Sequence, residues 1–309
     1  MAFYTHGDTF AGKKVVWYDP NVGATEPPGS CFYRLGGFDY DDDEEEFGFA
    51  ELLEQFVNDR NVQPIVGLII GAWTYEMVGP NDWIIQLLAD AQPQMPNLRA
   101  LFIGDLICDE NEISWIHQCA MAPLMNAYRE LQHLKLRGGG SLQFKEVDHV
   151  HLLSLTIESG GLGIEPLQDI FQAKLPNLEY LELWLGEPHY GGVSADQIEP
   201  LLRTNPFPKL RYMGLRNYSE IDQLCPSIAK SPFLDHIQIL DLSNGNLSDV
   251  GLDALLNASE RLKKLERLDL HHHYLSNEGI ERVQALGIPV DVSEQLQGDG
   301  EDRYIVASE

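Results

Sequence analysis

Apolar residues along this chain recur in one phrase, L-x-x-L-x-L, seen most plainly in Leu265, Leu268 and Leu270. Seven further copies precede it: Ile65/Leu68/Ile70, Leu98/Leu101/Ile103, Leu131/Leu134/Leu136, Leu152/Leu155/Ile157, Leu178/Leu181/Leu183, Leu210/Met213/Leu215 and Ile237/Leu240/Leu242. The first anchors, at 65, 98, 131, 152, 178, 210, 237 and 265, are separated by 33, 33, 21, 26, 32, 27 and 28 residues. Those spacings mark a stacked-repeat protein. The fourth and sixth positions alternate with polar or variable ones, the period of a strand with one buried face. Helical spacing follows, as in Leu247, Leu252, Leu255 and Leu256, so each copy is expected to be a strand, a turn and a helix. A unit of this size cannot bury both its strand and its helix alone. Neighbours must stack, aligning the strands into one parallel sheet.

The phrases Leu240-Asp-Leu-Ser-Asn-Gly-Asn-Leu-Ser-Asp-Val-Gly251 and Leu268-Asp-Leu-His-His-His-Tyr-Leu-Ser-Asn-Glu-Gly279 resemble the ribonuclease-inhibitor subtype of the leucine-rich-repeat superfamily, over roughly residues 62–292. Within it, Ile113-Ser-Trp-Ile-His117, Leu181-Glu-Leu-Trp-Leu-Gly186 with Tyr190-Gly-Gly192, and the triple histidine look closest to a group of uncharacterised bacterial intracellular repeat proteins. The resemblance implies an α/β solenoid, with a curved parallel sheet on the concave side and helices on the convex side. It carries no established activity. The chain departs from the pattern where a ladder asparagine is expected, three residues after the sixth-position leucine. Trp73, Leu106, Gly139, Gly160, Gly186, Tyr218, Gly245 and His273 stand there instead, so glycine-rich turns are expected to replace the ladder.

Residues 1–61 read as an N-terminal cap, because the exposed end of a stacked core needs a cover. Strands are expected at Val15–Tyr18 and Cys31–Leu35, then a helix over Glu44–Asp59 with Phe47, Leu52, Leu53, Phe56 and Val57 inward. The acidic run Asp39 to Glu46 would oppose the positive end of that helix dipole; it lacks the glycine offset of a calcium loop. About eight repeats are expected over 62–292, with Val290–Val292 closing the stack, and 293–309 reads as an acidic tail. Trp83, Trp115 and Met125 are expected in the core on helical spacing.

Net charge narrows the partners. With 21 basic and 48 acidic residues the formal charge is -27, a field that repels nucleic-acid phosphates and anionic lipids. No basic-then-apolar leader and no run of eighteen apolar residues is present in this sequence, so a cytoplasmic location is expected. Cys31, Cys108, Cys119 and Cys225 form no C-x-x-C pair and read as reduced core residues.

Candidate chemistry is sparse. Gly138-Gly-Gly-Ser141 lacks the lysine of a phosphate loop. In an extended strand His271 and His273 would share a face and His272 would turn away, which leaves a zinc site short of ligands unless Asp241 or Asp269 contributes. Neither a cofactor nor a metal is expected.

The fifth positions of the copies, Ile69, Phe102, Lys135, Thr156, Glu182, Gly214, Asp241 and Asp269, should point to the inner face, with Gly71, Gly104, Arg137, Glu158, Trp184, Arg216, Ser243 and His271 two residues on. This suggests a non-enzymatic protein-interaction scaffold. Glu182, Trp184, Asp241, Asp269, His271, Arg216, Lys135 and Arg137 would contact a partner with a basic surface, and Tyr190 would do so from a glycine-rich loop. The alternative is a hydrolase-like or metal-dependent enzyme using Glu182, Asp241, Asp269 and His271 for acid/base work. No nucleophile motif accompanies that cluster. Nucleic acid would have to be held by Lys135, Arg137 and Arg216 against the overall field. Nothing in the sequence speaks to oligomeric state.

Overall fold

The computed structural model describes residues 4–36, 48–74, 81–298 and 302–308. Among these, twelve strands form one open sheet in sequence order. They are β1 (Thr9–Phe10), β2 (Lys13–Trp17), β3 (Cys31–Leu35), β4 (Gly67–Ile70), β5 (Ala100–Ile103), β6 (His133–Arg137), β7 (Ser154–Glu158), β8 (Tyr180–Gly186), β9 (Tyr212–Tyr218), β10 (Ile239–Asp241), β11 (Arg267–Asp269) and β12 (Val290–Asp291). β1 pairs antiparallel with β2; from β2 onward every pairing is parallel.

The eight leucine phrases meet in register. Leu68, Leu101, Leu134, Leu155, Leu181, Met213, Leu240 and Leu268 occupy one column across the sheet. All three anchors of every copy are buried and belong to one continuous core. Over that face lie helices α1 (Phe49–Asn58), α2 (Asp82–Asp90), α3 (Ala122–Ala127), α4 (Ile164–Gln172), α5 (Ala195–Ile198), α6 (Ile221–Lys230), α7 (Asp249–Leu256), α8 (Ser259–Leu262) and α9 (Asn277–Gln284). In α6 the buried side chains are Ile221, Leu224, Cys225 and Ile228, the i, i+3, i+4, i+7 stripe of a helix with one apolar face. The result is an α/β architecture consistent with a leucine-rich-repeat-like solenoid. No helix among the described residues is long and apolar enough to cross a membrane.

The turn motifs Ser248-Asp-Val-Gly251 and Ser276-Asn-Glu-Gly279 are explained by ties between repeats. Ser248 and Ser276 cap α7 and α9 by accepting from Val250 N and Gly279 N. Asp222, one repeat earlier, accepts from Ser248 N (2.8 Å) and Gly251 N (3.1 Å), and Asp249 accepts from Ser276 N (3.1 Å). A Cβ at Gly251 would lie 2.4 Å from an Asp222 oxygen, and one at Gly279 would lie 2.1 Å from an Asp249 oxygen. Only glycine lets each aspartate reach the next helix start. These carboxylates also sit where the helix N–H groups lack internal partners.

Several sequence expectations are corrected. The short spacing between β6 and β7 leaves no room for a helix, and Leu142, Phe144 and Val147 fill that stretch of core from irregular turns. The two strands expected before the first repeat do form, as β2 and β3, and continue the parallel sheet. The cap helix begins at Phe49; Phe47 and the acidic run lie outside the described residues. Trp115 is 56% exposed because Ile113–Trp115 is a single 3-10 turn, whereas Met125 on α3 is buried. Trp83 sits on the outward side of α2, 43% exposed. Cys108 is exposed; the other three cysteines are buried thiols.

At the exit of β8, a glycine takes the ladder position and the backbone itself makes the tie. Gly186 has φ +69° and bridges Gly161 in antiparallel fashion, with Leu162 N donating to Leu185 O (3.0 Å) and Glu187 N to Gly160 O (2.8 Å). A Cβ on Gly186 would stand 1.8 Å from the Gly160 carbonyl oxygen. Gly186→Ala should therefore lower stability by ~3 kcal/mol or more, combining left-handed strain with backbone collision. Urea denaturation of the variant checks this, and an unchanged midpoint would show that the two exits are not packed this closely.

Candidate interaction site

On the face opposite the helices, the column Trp17, Arg34, Ile69, Phe102, Lys135, Thr156, Glu182, Gly214, Asp241, Asp269 and Asp291 runs across the sheet. The expected inner-face residues are thus brought together on one open face. Its β1 end is apolar: Val15, Phe32, Ile69, Ala100 and Phe102 form a second cluster, with Phe10 of β1 packed against it.

Beyond Phe102 the face is built from ions that neutralise one another. Asp105 is the hub of the first group. It accepts from Arg34 Nε (2.7 Å), lies 3.5 Å from Arg137 Nη1 and 3.7 Å from His6 Nδ1. Arg137 donates through Nε to Glu158 (2.9 Å) and also to the Leu106 carbonyl. Lys135 Nζ reaches the other Glu158 oxygen at 2.8 Å. Lys135 and Arg137 both lie over the Phe102 ring, at 4.7 and 5.3 Å from its centroid. Burial pushes the Asp105 and Glu158 carboxyls up, but the surrounding cations outweigh it and hold both below the usual carboxylate range.

The second group centres on Arg216. Its Nη1 donates to Glu182 (2.9 Å), its Nε donates to Ser243 Oγ (2.9 Å), and it lies 3.4 Å from Asp241. Glu182 also accepts from Trp184 Nε1 (2.7 Å) and from the Tyr180 hydroxyl. The Tyr212 hydroxyl donates to Asp241 (2.5 Å), and the two tyrosine rings stack 4.0 Å apart. Burial and the neighbouring carboxylates raise both phenols, keeping them protonated as donors. Glu182 and Asp241 therefore share one cation, Arg216, and do not face each other as unpaired like charges. On Gly214, which stands between them in the column, a Cβ would meet the Tyr212 ring at 3.0 Å and Glu182 at 3.3 Å.

In the third group Arg267 Nη2 donates to both Asp269 (2.7 Å) and Asp291 (2.9 Å), while His271 Nδ1 lies 2.7 Å from Asp269. Ligand atoms of Asp269, His271 and Asp291 fall within 4.8 Å of one another, a spacing that could hold a metal. Arg267 already places a cation on both carboxylates.

The three histidines do not alternate as a strand would place them. β11 ends at Asp269, and His272 takes a left-handed φ of 58°. His273 is fully buried in the ladder position, accepting from Leu275 N (3.0 Å) at Nδ1. Its Nε2 must then carry the proton, donated to Val292 O at 3.1 Å. It bonds backbone, as an asparagine there would.

Trp184 is only 5% exposed, clustered with Ile113 and Ala307, with Arg216 stacked 5.1 Å over its ring. The chain's own C-terminal segment covers it, a contact that spacing could not announce. Tyr190 lies apart, on a cleft of about 750 Å³ that Ser114, His117, Ser159 and Asp169 also line.

Sequence reasoning missed His6. It joins Glu110 (Nε2, 3.1 Å) and Asp105 to anchor the first residues across the sheet, where Arg34 also donates to Gly7 O (2.7 Å). Burial opposes its charge, yet the two carboxylates raise its pKa to about 9. A raised pKa stabilises the fold fully below the unfolded value near 6.5, and the contribution is lost as pH rises through about 9. Up to ~3 kcal/mol of stability should disappear over that window. Urea unfolding at pH 6 and pH 10 should show the loss in the parent and its abolition in His6→Gln; equal slopes would exclude the ion pair.

No family model and no curated protein matches this chain. Among solved structures, a protein from Bacteroides fragilis superimposes with a TM-score of 0.76 at 28% identity, covering 83% of this chain and 72% of that one. An internalin from Listeria monocytogenes aligns over 79% of this chain and 69% of its own, at 13% identity and a TM-score of 0.33. The in-register leucine phrases and the helix-backed parallel sheet make the fold leucine-rich-repeat-like.

Proposed function

We propose that the chain is a non-enzymatic protein-interaction scaffold, a solenoid of the ribonuclease-inhibitor subtype with an N-terminal cap, akin to bacterial intracellular repeat proteins. Its open sheet face is the recognition surface. The observation that supports this most is the run of pre-paired ions along that face. Lys135, Arg216 and His271 keep part of their side chains accessible, while Glu158, Glu182, Asp241 and Asp269 are held beneath them. A surface whose charges are already oriented loses little side-chain entropy on binding. Glu182, Asp241, Asp269 and Trp184 then act as the floor, and Lys135, Arg216, His271 and Arg267 as the heads that meet the partner. Arg137 is buried with the floor.

The partner is basic overall in this reading, drawn in at long range by a formal charge of -27, and at contact it presents carbonyl or carboxylate acceptors to the four cationic heads. The same field, together with the pairing of Lys135, Arg137 and Arg216 to carboxylates, disfavours nucleic acid.

Affinity capture from lysate at low and moderate salt, followed by mass spectrometry, tests this. A specific partner should be captured less as salt rises. The triple variant Lys135→Ala/Arg267→Ala/His271→Ala should weaken it by ~2 kcal/mol or more, whereas Glu260→Lys on α8 should leave it within about threefold. A partner that binds the triple variant like the parent would move the interface off the open face.

A further inference from the structure

The edge where the strands end is occupied by a piece of the chain that belongs to no strand or repeat. Residues 302–308 run backwards across the strand exits from β11 to β7, held mainly through backbone. Arg303 comes first, 3.4 Å from Asp222 and 5.7 Å over the Tyr274 ring. Tyr304 N donates to the Tyr274 hydroxyl (3.1 Å), and Val306 N to Asn244 O (3.1 Å). Asn217 then clasps one residue from both sides: Ala307 N donates to its Oδ1 (2.9 Å), and its Nδ2 donates to Ala307 O (2.5 Å). Finally the Ser308 carbonyl rests against Gly160, where a Cβ would lie 2.3 Å away.

Asn217 is itself fully buried and held in a left-handed conformation at φ 51°. Asparagine is one of the few residues with a side chain that adopts this conformation readily, and here it aims the amide at a passing main chain. The bound segment alternates as an extended peptide does. Ile305 and Ala307 are buried, Val306 and Ser308 are half-buried and Tyr304 is 64% exposed. Ala307 fits between Ile113 and Trp184, a slot sized for a methyl group.

Main-chain pairing plus a side-chain size filter is how proteins recognise extended peptides. We propose that this groove, formed by Ile113, Trp184, Asn217, Asn244, Asp222 and Tyr274, is a peptide-recognition site. It takes an extended segment with arginine at one end and alanine four residues on, and in this structure it holds the chain's own Asp302–Ser308 as an exchangeable ligand. The site lies at the strand exits and shares Trp184 with the open face, and peptide binding reads it separately from the partner proposed for that face. The segment buries two apolar side chains, few enough for it to open locally while the repeats stay folded.

The test uses the full-length chain and a fluorescein-labelled heptapeptide of sequence Asp-Arg-Tyr-Ile-Val-Ala-Ser. In the Ala307→Glu variant the cis segment no longer fits, and the free groove should bind the peptide about tenfold or more tighter than the parent does, because the parent's groove is occupied. A peptide with glutamate in place of its alanine should bind neither protein. If the Ala307→Glu protein melts cooperatively yet binds the peptide no better than the parent, the proposal fails. Native-state hydrogen exchange on the parent decides the matter if that variant does not fold. The Val306 and Ala307 amides should exchange ~100-fold or more faster than those of β9, and exchange at the rate of global unfolding would make the segment a fixed part of the core and overturn the inference.

Discussion

Everything in this fold depends on one packing constraint, the burial of each repeat's leucine triplet against the triplets on either side. Leu181 and Leu183 are fully buried only because Leu155 and Ile157 precede them and Met213 and Leu215 follow, strand for strand. Removing such a side chain from a close-packed column would leave a cavity that two neighbours share. The same register places every fifth-position side chain in a second column on the opposite face, so the geometry of the open face is a by-product of core packing.

Helices matter less to this constraint than the repeat length suggests. Between β6 and β7 the backing layer is supplied by Leu142, Phe144 and Val147 on irregular turns, and the core stays continuous through it. What must be conserved from copy to copy is apolar volume behind the strand. Where helices are present, Asp222 and Asp249 tie each helix start to the next and impose glycine at 251 and 279.

The open face carries many ions in a partly dehydrated setting, where an unpaired charge would be costly and a paired one roughly breaks even. The structure resolves this by sharing: Asp105 serves His6, Arg34 and Arg137; Arg216 serves Glu182 and Asp241; Arg267 serves Asp269 and Asp291. Each hub links different strands or loops, so the ions reinforce the register that the leucines set. An acidic protein thereby presents a face whose charges are locally balanced and oriented, with its excess negative charge acting at longer range.

The strand phrase, the parallel alignment and the column of inner-face residues were legible in the sequence, because a period of two and a recurring triplet state directly which side chains must be buried. The ladder position of His273 was legible for the same reason, and the structure shows its ring bonding backbone there. Other features depended on residues far apart in the chain, which no local period reports. Arg216 reaches Glu182 across 34 positions, His6 reaches Asp105 and Glu110, and Ala307 covers Trp184 from the far end of the molecule. The histidine reading went astray at one residue, His272, whose left-handed turn ended the alternation that a continuing strand would have kept. Pattern along the chain therefore determined which faces exist. Only the tertiary structure decided which of their groups are already occupied, since pairing of charges and docking of chain ends are contacts between segments that the sequence keeps apart.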